Sequence, residues 1–263
     1  MSSSTSNKRI SIDWEPEQIC DKTIIWRYMD IDKLLHFIQG KALYMSPMKQ
    51  FIDTQEGTFT RATLEMFDKV VGYSGTETLE KQNQEDIDQT FVSCWHINER
   101  ESFTMWNEYT TSCYSAVVQT TVKQLRDALD FGITSIVTPI QKEFEICGIS
   151  NDASDIRDRY HIKIGKVNYI DEDRIMSSFN AFETIFSKRI RYQHENELRA
   201  VIYRKISASI AKGVNTGDKL PNWNIEPLGF VNSIAIHPQA GNIFEKQIRG
   251  LFPSIAVIES QIK

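Results

Sequence analysis

The sequence predicts an α+β fold: one domain in which a mixed sheet is flanked by helices. Three observations carry this. Short runs of β-branched and aromatic residues recur along the chain. Helical spacing of apolar residues falls between them irregularly, without strict strand–helix alternation. The phosphate-cradling patterns GxGxxG and GxxxxGK[ST] do not occur, which argues against Rossmann and P-loop enzymes.

Of the 263 residues, 41% are hydrophobic, enough for a sizeable core in a single domain expected over 10–263. The Ser-rich residues 1–9 are expected to be disordered. A net charge of −5 excludes a general polyanion binder, so any nucleic-acid contact must be a local patch. Cys20, Cys94, Cys113 and Cys147 form no CxxC pair, so reduced thiols in a cytoplasmic protein are expected. The polar start lacks a signal-peptide core, and no run is apolar enough to span a membrane, so no membrane partner is expected.

In order, Thr23–Met29 reads as a strand. Asp30 is placed to cap a helix over Ile31–Gln39, which Gly40 ends. Ala42–Ser46 reads as a strand closed by Pro47, and Phe51–Gly57 as a polar loop carrying Asp53 and Glu56. Thr58–Val71 has helical spacing, and residues 74–89 are a loop or a solvated helix. Gln89–Ile97 reads as a strand, Ser102–Thr110 as a short helix, Tyr114–Thr120 as a strand and Val122–Leu129 as a helix. The stretch near 131–160 is ambiguous and ends in a surface loop, NDASDIRDR. His161–Ile170 alternates like a strand, and Asp171–Ser187 reads as an amphipathic helix. Residues 205–227 are irregular. Val231–His237 reads as a strand, Ala240–Phe252 as a helix and Ile255–Ile258 as a last strand.

The stretch Phe186–Arg204 concentrates chemistry. Lys188, Arg189, Arg191 and Arg199 accompany Glu195 and Glu197, whose i, i+2 spacing puts both carboxylates on one face if the strand includes them. Arg27 and Tyr28 on the first strand, Ser93 on a middle strand and the glutamate pair on a late strand suit cleavage of a ribosyl–nicotinamide bond. That reaction needs a cation for the pyrophosphate, a hydroxyl for the ribose and a carboxylate beside an oxocarbenium-like transition state. A second glutamate would orient or deprotonate an acceptor.

Other patterns compete. Met105, Trp106 and Tyr109 fit a helix face packed into the core, the alternative being an aromatic wall for a flat cofactor ring, with Trp106 in contact. Alternation sets Cys94 and His96 on one strand face and Ser93 with Trp95 on the other; a small buried cysteine accounts for this better than a Cys/His nucleophile. None of His36, His96, His161, His194 and His237 lies four residues from another, and HExxH is absent, so no metal is assigned. A metal-dependent nuclease using Asp53, Glu56, Glu195 and Glu197, with Lys188 or Arg199 as phosphate clamps, is one alternative function. A non-enzymatic binding module ordered by an ion-pair network is another.

The chain also resembles an uncharacterised bacterial family of unknown function over about residues 24–240. The resemblance rests on Trp26–Met29 (WRYM), the FxDxxEG loop Phe51–Gly57, Ser93–Trp95 (SCW) and the MWxxY segment Met105–Tyr109. It continues through the Val167–Ile170 strand and the KR…HExELRA block Lys188–Ala200. The family's opening and its ExE motif are similar to ADP-ribosyltransferases of the R–S–E type, which implies that architecture with NAD as substrate. On that analogy Arg27 holds phosphate, Ser93 or Tyr28 supplies the hydroxyl, Glu197 is catalytic and Glu195 accessory. The usual Ser-Thr-Ser triplet is replaced here by Ser93-Cys94-Trp95. The resemblance further implies a role in bacterial defence or as a toxin, with a protein or nucleic-acid acceptor that the sequence does not specify.

Overall fold

Backbone hydrogen bonding in a computed structural model, which describes residues 15–132, 160–204 and 222–262, turns these runs into one large sheet with helices on both faces. The elements are β1 (Ile24–Asp30), α1 (Ile31–Gln39), β2 (Ala42–Tyr44), β3 (Ser46–Pro47), α2 (Arg61–Val71), α3 (Tyr73–Asp88), β4 (Thr90–Ile97), α4 (Phe103–Tyr109) and β5 (Ser115–Thr121). A helix α5 follows over 122–132. Next come β6 (Tyr160–Lys166), β7 (Asn168–Ile170), α6 (Ala181–Ile185), β8 (Ser187–Arg189) and β9 (Glu197–Arg204). The last are β10 (Asn222–Asn224), α7 (Pro227–Phe230), β11 (Ser233–Ile236), α8 (Asn242–Leu251) and β12 (Ala256–Ile258). The expectations for residues 1–9, for NDASDIRDR and for most of 205–227 lie outside the described residues.

The sheet runs β12-β11-β5-β1-β4-β9-β6, with β3 paired to β4. Its pairs are antiparallel except β11 with β12, so it is mixed, as the sequence predicts. Two minor pairs, β10 with β2 and β7 with β8, lie outside it.

Register assigns the two faces. Ser93 stands opposite Ala200 and Trp95 opposite Leu198, while Cys94 faces Arg199 and His96 faces Glu197. The first set joins Ile25, Met29, Leu198 and Ala200 in the main core, covered by Leu34 and Phe37 of α1, Leu125 and Leu129 of α5, and Phe244 and Ile248 of α8. Full burial of such side chains contributes roughly 1.5–3 kcal/mol each. On the opposite face, Trp26 and Tyr28 pack on Met105 and Trp106 of α4. Val92 and Val201 pack there on Met48, Ile87, Ile185 and Phe186.

Several expectations need correction. Asp30 does not cap α1 with its side chain; its carboxylate accepts instead from the Thr111 amide at 2.9 Å and hydroxyl at 2.8 Å. The strand expected over His161–Ile170 is two, because the chain leaves the main sheet at Val167 and pairs with β8. Ala42–Ser46 is likewise divided between β2 and β3. The helix expected over Asp171–Ser187 shrinks to Ala181–Ile185. There the buried Glu183 carboxylate takes the amides of Ser177 and Ser178 at 2.8 and 2.6 Å, which holds that run in a turn. Among the described residues, no helix is long and apolar enough to cross a membrane.

Candidate functional site

The chain entering β9 is bent by one residue. Ile190–Glu195 is a 3-10 helix, and Asn196 follows in the left-handed region with φ 38° and ψ 58°. Asparagine tolerates that region better than most residues. Its side chain donates to the Ile97 carbonyl at 2.6 Å, and its carbonyl accepts from the Ile97 amide at 2.9 Å. His96 Nδ1 lies 2.6 Å from the Glu195 carbonyl, so the turn is fastened to the end of β4. Glu195 is therefore not on the strand, contrary to the expectation of a shared strand face, yet the turn brings it to Glu197.

Both carboxylates meet one ammonium. Lys188 Nζ lies 2.6 Å from Glu195, 3.5 Å from Glu197 and 2.8 Å from Glu56, which the Phe51–Gly57 loop delivers. Arg199, wholly buried, donates from Nε to Glu197 at 2.7 Å and from Nη2 to Glu197 at 3.2 Å; Nη2 also lies 3.3 Å from Glu56. Its Nη1 bonds the Ile185 carbonyl. Tyr169 Oη accepts from the Glu197 amide at 2.9 Å, and the Tyr109 hydroxyl and Cys94 thiol lie near enough to Glu195 and Glu197 respectively to favour their ionised forms.

Three carboxylates thus share two cations in a nearly dry setting. Burial opposes ionisation of Glu197, but Arg199 and Lys188 outweigh it and hold the carboxyl down at about 2. Glu195 moves the other way: burial, helped by the Glu197 charge, raises it despite Lys188. Burial works against the Lys188 ammonium too, and the carboxylates of Glu197, Glu56 and Glu195 overcome it, so the group stays charged well above its usual range.

The structure separates the other predicted site residues. Arg27 donates from Nη1 to Ser93 Oγ at 2.9 Å and from Nη2 to the Tyr44 carbonyl at 3.0 Å, and its guanidinium lies over the Trp95 ring at 5.6 Å. Ser93 is on the opposite sheet face from Glu197, and Arg27 bonds it there. The layout expected of a single ligand, with Arg27 and Ser93 beside Glu197, is therefore not assembled. Side-chain direction alternates along β4 and β9, so their register decides this.

Tyr28 and Trp106 come together on the carboxylate side of the sheet, ring centroids 5.0 Å apart. Tyr28 Oη accepts from the Ser102 amide at 2.7 Å, and Trp106, only 1% exposed, donates its indole N–H to Glu101 at 3.1 Å. Met105 and Trp106 are buried as the helix-face reading had them, whereas Tyr109 of that set is 42% exposed. Cys94 shares its face with His96, as alternation predicts, but burial, reinforced by the Glu197 carboxylate, pushes the thiol well up, the reverse of an activated nucleophile. Asp53 pairs with Arg191 at 2.9 Å rather than joining Glu56 on Lys188.

For a metal, one set of ligand atoms among the described residues lies within 4.8 Å: those of Glu108, His194 and Glu195. His194 Nε2 already meets both Glu108 oxygens at 3.0 Å, and Glu195 is held by Lys188, so these groups satisfy one another and no metal is assigned.

Sequence reasoning missed Lys188 as the hub, having offered it only as a phosphate clamp, and missed Tyr109 as a partner of Glu195. Arg199 was open to inference, since period-two alternation from Glu197 sets both on one face. No family model, curated protein or solved structure matches the chain.

Proposed function

We propose that the protein is an ADP-ribosyltransferase-like enzyme that cleaves the nicotinamide–ribose bond of NAD, with Glu197 and Glu195 as its working carboxylates. One observation carries this reading: the two carboxylates share the Lys188 ammonium at 3.5 and 2.6 Å, and their surroundings push their proton affinities apart. Their oxygens therefore lie within roughly 6 Å of each other, the scale of carboxylate pairs that work on glycosidic bonds. Glu197, fixed as an anion, suits stabilisation of an oxocarbenium-like centre. Glu195, the readily protonated partner, suits proton transfer with an acceptor.

A second reading is favoured by closure of the network. Glu56, Glu195 and Glu197 are each under 10% exposed and each bonded to a buried cation, as in an ion-pair hub that orders a binding module. The metal-nuclease reading is weakened by Lys188, whose ammonium stands where Glu56, Glu195 and Glu197 converge.

Nicotinamide release from NAD by the purified chain, in chelator and with cell extract as acceptor, tests the proposal. Release is expected, with a loss of about 100-fold or more in Glu197→Gln and in Glu195→Gln, each checked for folding by circular dichroism. Absence of release from the folded wild-type protein would remove the enzymatic reading and leave the hub.

A further inference from the structure

The NAD reading needs a cation for the pyrophosphate, and the face assignment removes Arg27 from that duty. Of the four cations between Lys188 and Arg199, Lys188, Arg189 and Arg199 are buried, and each is bonded to a carboxylate. Arg191 differs, its side chain being 61% exposed.

Its placement is built rather than incidental. Asp53, itself 13% exposed, holds Nη2 at 2.9 Å and is braced in turn by the Gln55 amide at 3.0 Å. The guanidinium lies over the Tyr192 ring, 4.9 Å from its centroid. The Lys188 ammonium meets the same ring at 4.8 Å and touches Glu195 at 2.6 Å. The Phe51–Gly57 loop spans both ends of this row, with Asp53 on Arg191 and Glu56 on Lys188. Tyr192 thus contacts both the solvent-facing guanidinium and the ammonium that holds the buried carboxylates.

We propose that Arg191, steadied by Tyr192 and Asp53, is the residue that binds the pyrophosphate of a dinucleotide whose ribose reaches Glu195 and Glu197. The inference rests on the NAD reading. A guanidinium has five N–H donors in a planar fork, so one bond to Asp53 leaves donors for two phosphate oxygens. Phosphates held at the rim and the scissile bond held over the acids give the substrate its direction in the site.

The test pairs turnover with binding. Initial rates of nicotinamide release are measured for wild type, Arg191→Gln and Arg191→Lys. ADP-ribose, which keeps the pyrophosphate and lacks nicotinamide, is titrated into the same proteins by calorimetry. Arg191→Gln is expected to raise the KM for NAD and the Kd for ADP-ribose by about 10- to 100-fold, with kcat within about twofold. Arg191→Lys is expected to fall between, keeping the charge and losing the fork. Wild-type turnover with unchanged KM and Kd in Arg191→Gln overturns the inference and leaves the NAD reading standing. A kcat loss without a KM change overturns it as well. ADP-ribose binding that Arg191→Gln abolishes, without wild-type turnover, supports the phosphate site and ends the catalytic reading. A wild type that neither turns over NAD nor binds ADP-ribose overturns both.

Discussion

Lys188→Met is the most informative single change. The methionine keeps an unbranched chain of similar reach and removes the charge that Glu56, Glu195 and Glu197 share at 2.8, 2.6 and 3.5 Å. Arg199 still serves Glu197 and Glu56, but Glu195 loses its ammonium and keeps the nearby Tyr109 hydroxyl. Breaking a buried pair by deleting one partner costs about 3–5 kcal/mol, because the remaining charge stays buried and uncompensated. That is a large part of the roughly 5–15 kcal/mol that separates folded from unfolded domains. A surface pair would cost about 0–1 kcal/mol.

The pH dependence has a definite sign. Glu197 is depressed to about 2, so its stabilisation is full above the ordinary carboxylate range and is lost only as pH falls toward 2. Glu195 is raised, so its contribution is full below the ordinary carboxylate range, and stability is lost as pH rises from there through its folded pKa. Without Lys188, which lowers both groups, each binds its proton more readily and uptake relieves the strain. The stability deficit of Lys188→Met should therefore be largest near pH 8 and smaller near pH 5. Urea unfolding of both proteins at the two values measures it. A deficit under about 1 kcal/mol at pH 8, or one that grows on acidification, would refute the buried-hub reasoning.

Two further changes probe the flanks of the site. Ser93→Ala leaves the Arg27 guanidinium and the Trp95 indole N–H, at 2.9 and 3.0 Å from Ser93 Oγ, without that acceptor. It should cost about 1–3 kcal/mol of stability and leave nicotinamide release by the folded fraction unchanged; lost release at unchanged stability would return Ser93 to the ligand. Asn196→Ala should cost about 2 kcal/mol in thermal or urea unfolding, from left-handed backbone strain plus the lost bond to Ile97, and Asn196→Gly about 1 kcal/mol, from the bond alone. Equal losses in the two variants would show that strain is not what the asparagine relieves.

Local patterns were legible wherever a neighbour in sequence is also a neighbour in space. The helix Ile31–Gln39 is found where its apolar spacing puts it, and the faces within β4 follow from alternation alone. The separation of Ser93 from Glu197 was not legible. It depends on β4 and β9 pairing with Ser93 opposite Ala200, across more than a hundred residues, and neither strand's sequence states that register. A shift of one residue would have put Ser93 and Glu197 on the same face. The Asp171–Ser187 helix failed for a related reason: its apolar spacing was present, but Glu183 competes for the backbone amides of Ser177 and Ser178. The hub role of Lys188 required both the β7–β8 pair and the Asn196 turn, which fold the basic segment back over the acids.

The division of labour between the two glutamates follows from this turn rather than from residue type. Glu197 is the first residue of β9, so its side chain shares a face with Arg199 two residues on and receives a bidentate guanidinium. Glu195 closes the 3-10 helix on the far side of Asn196, off the strand whose alternation brings Arg199 to Glu197. Its partners are one ammonium, shared with two other acids, and a hydroxyl on α4. Identical side chains two residues apart are thereby given opposite proton affinities by one left-handed residue. An insertion that straightened the turn into β9 would shift Glu195 along the strand, away from Lys188 and Tyr109. The contrast on which the proposed chemistry depends would then vanish with all four residues still present.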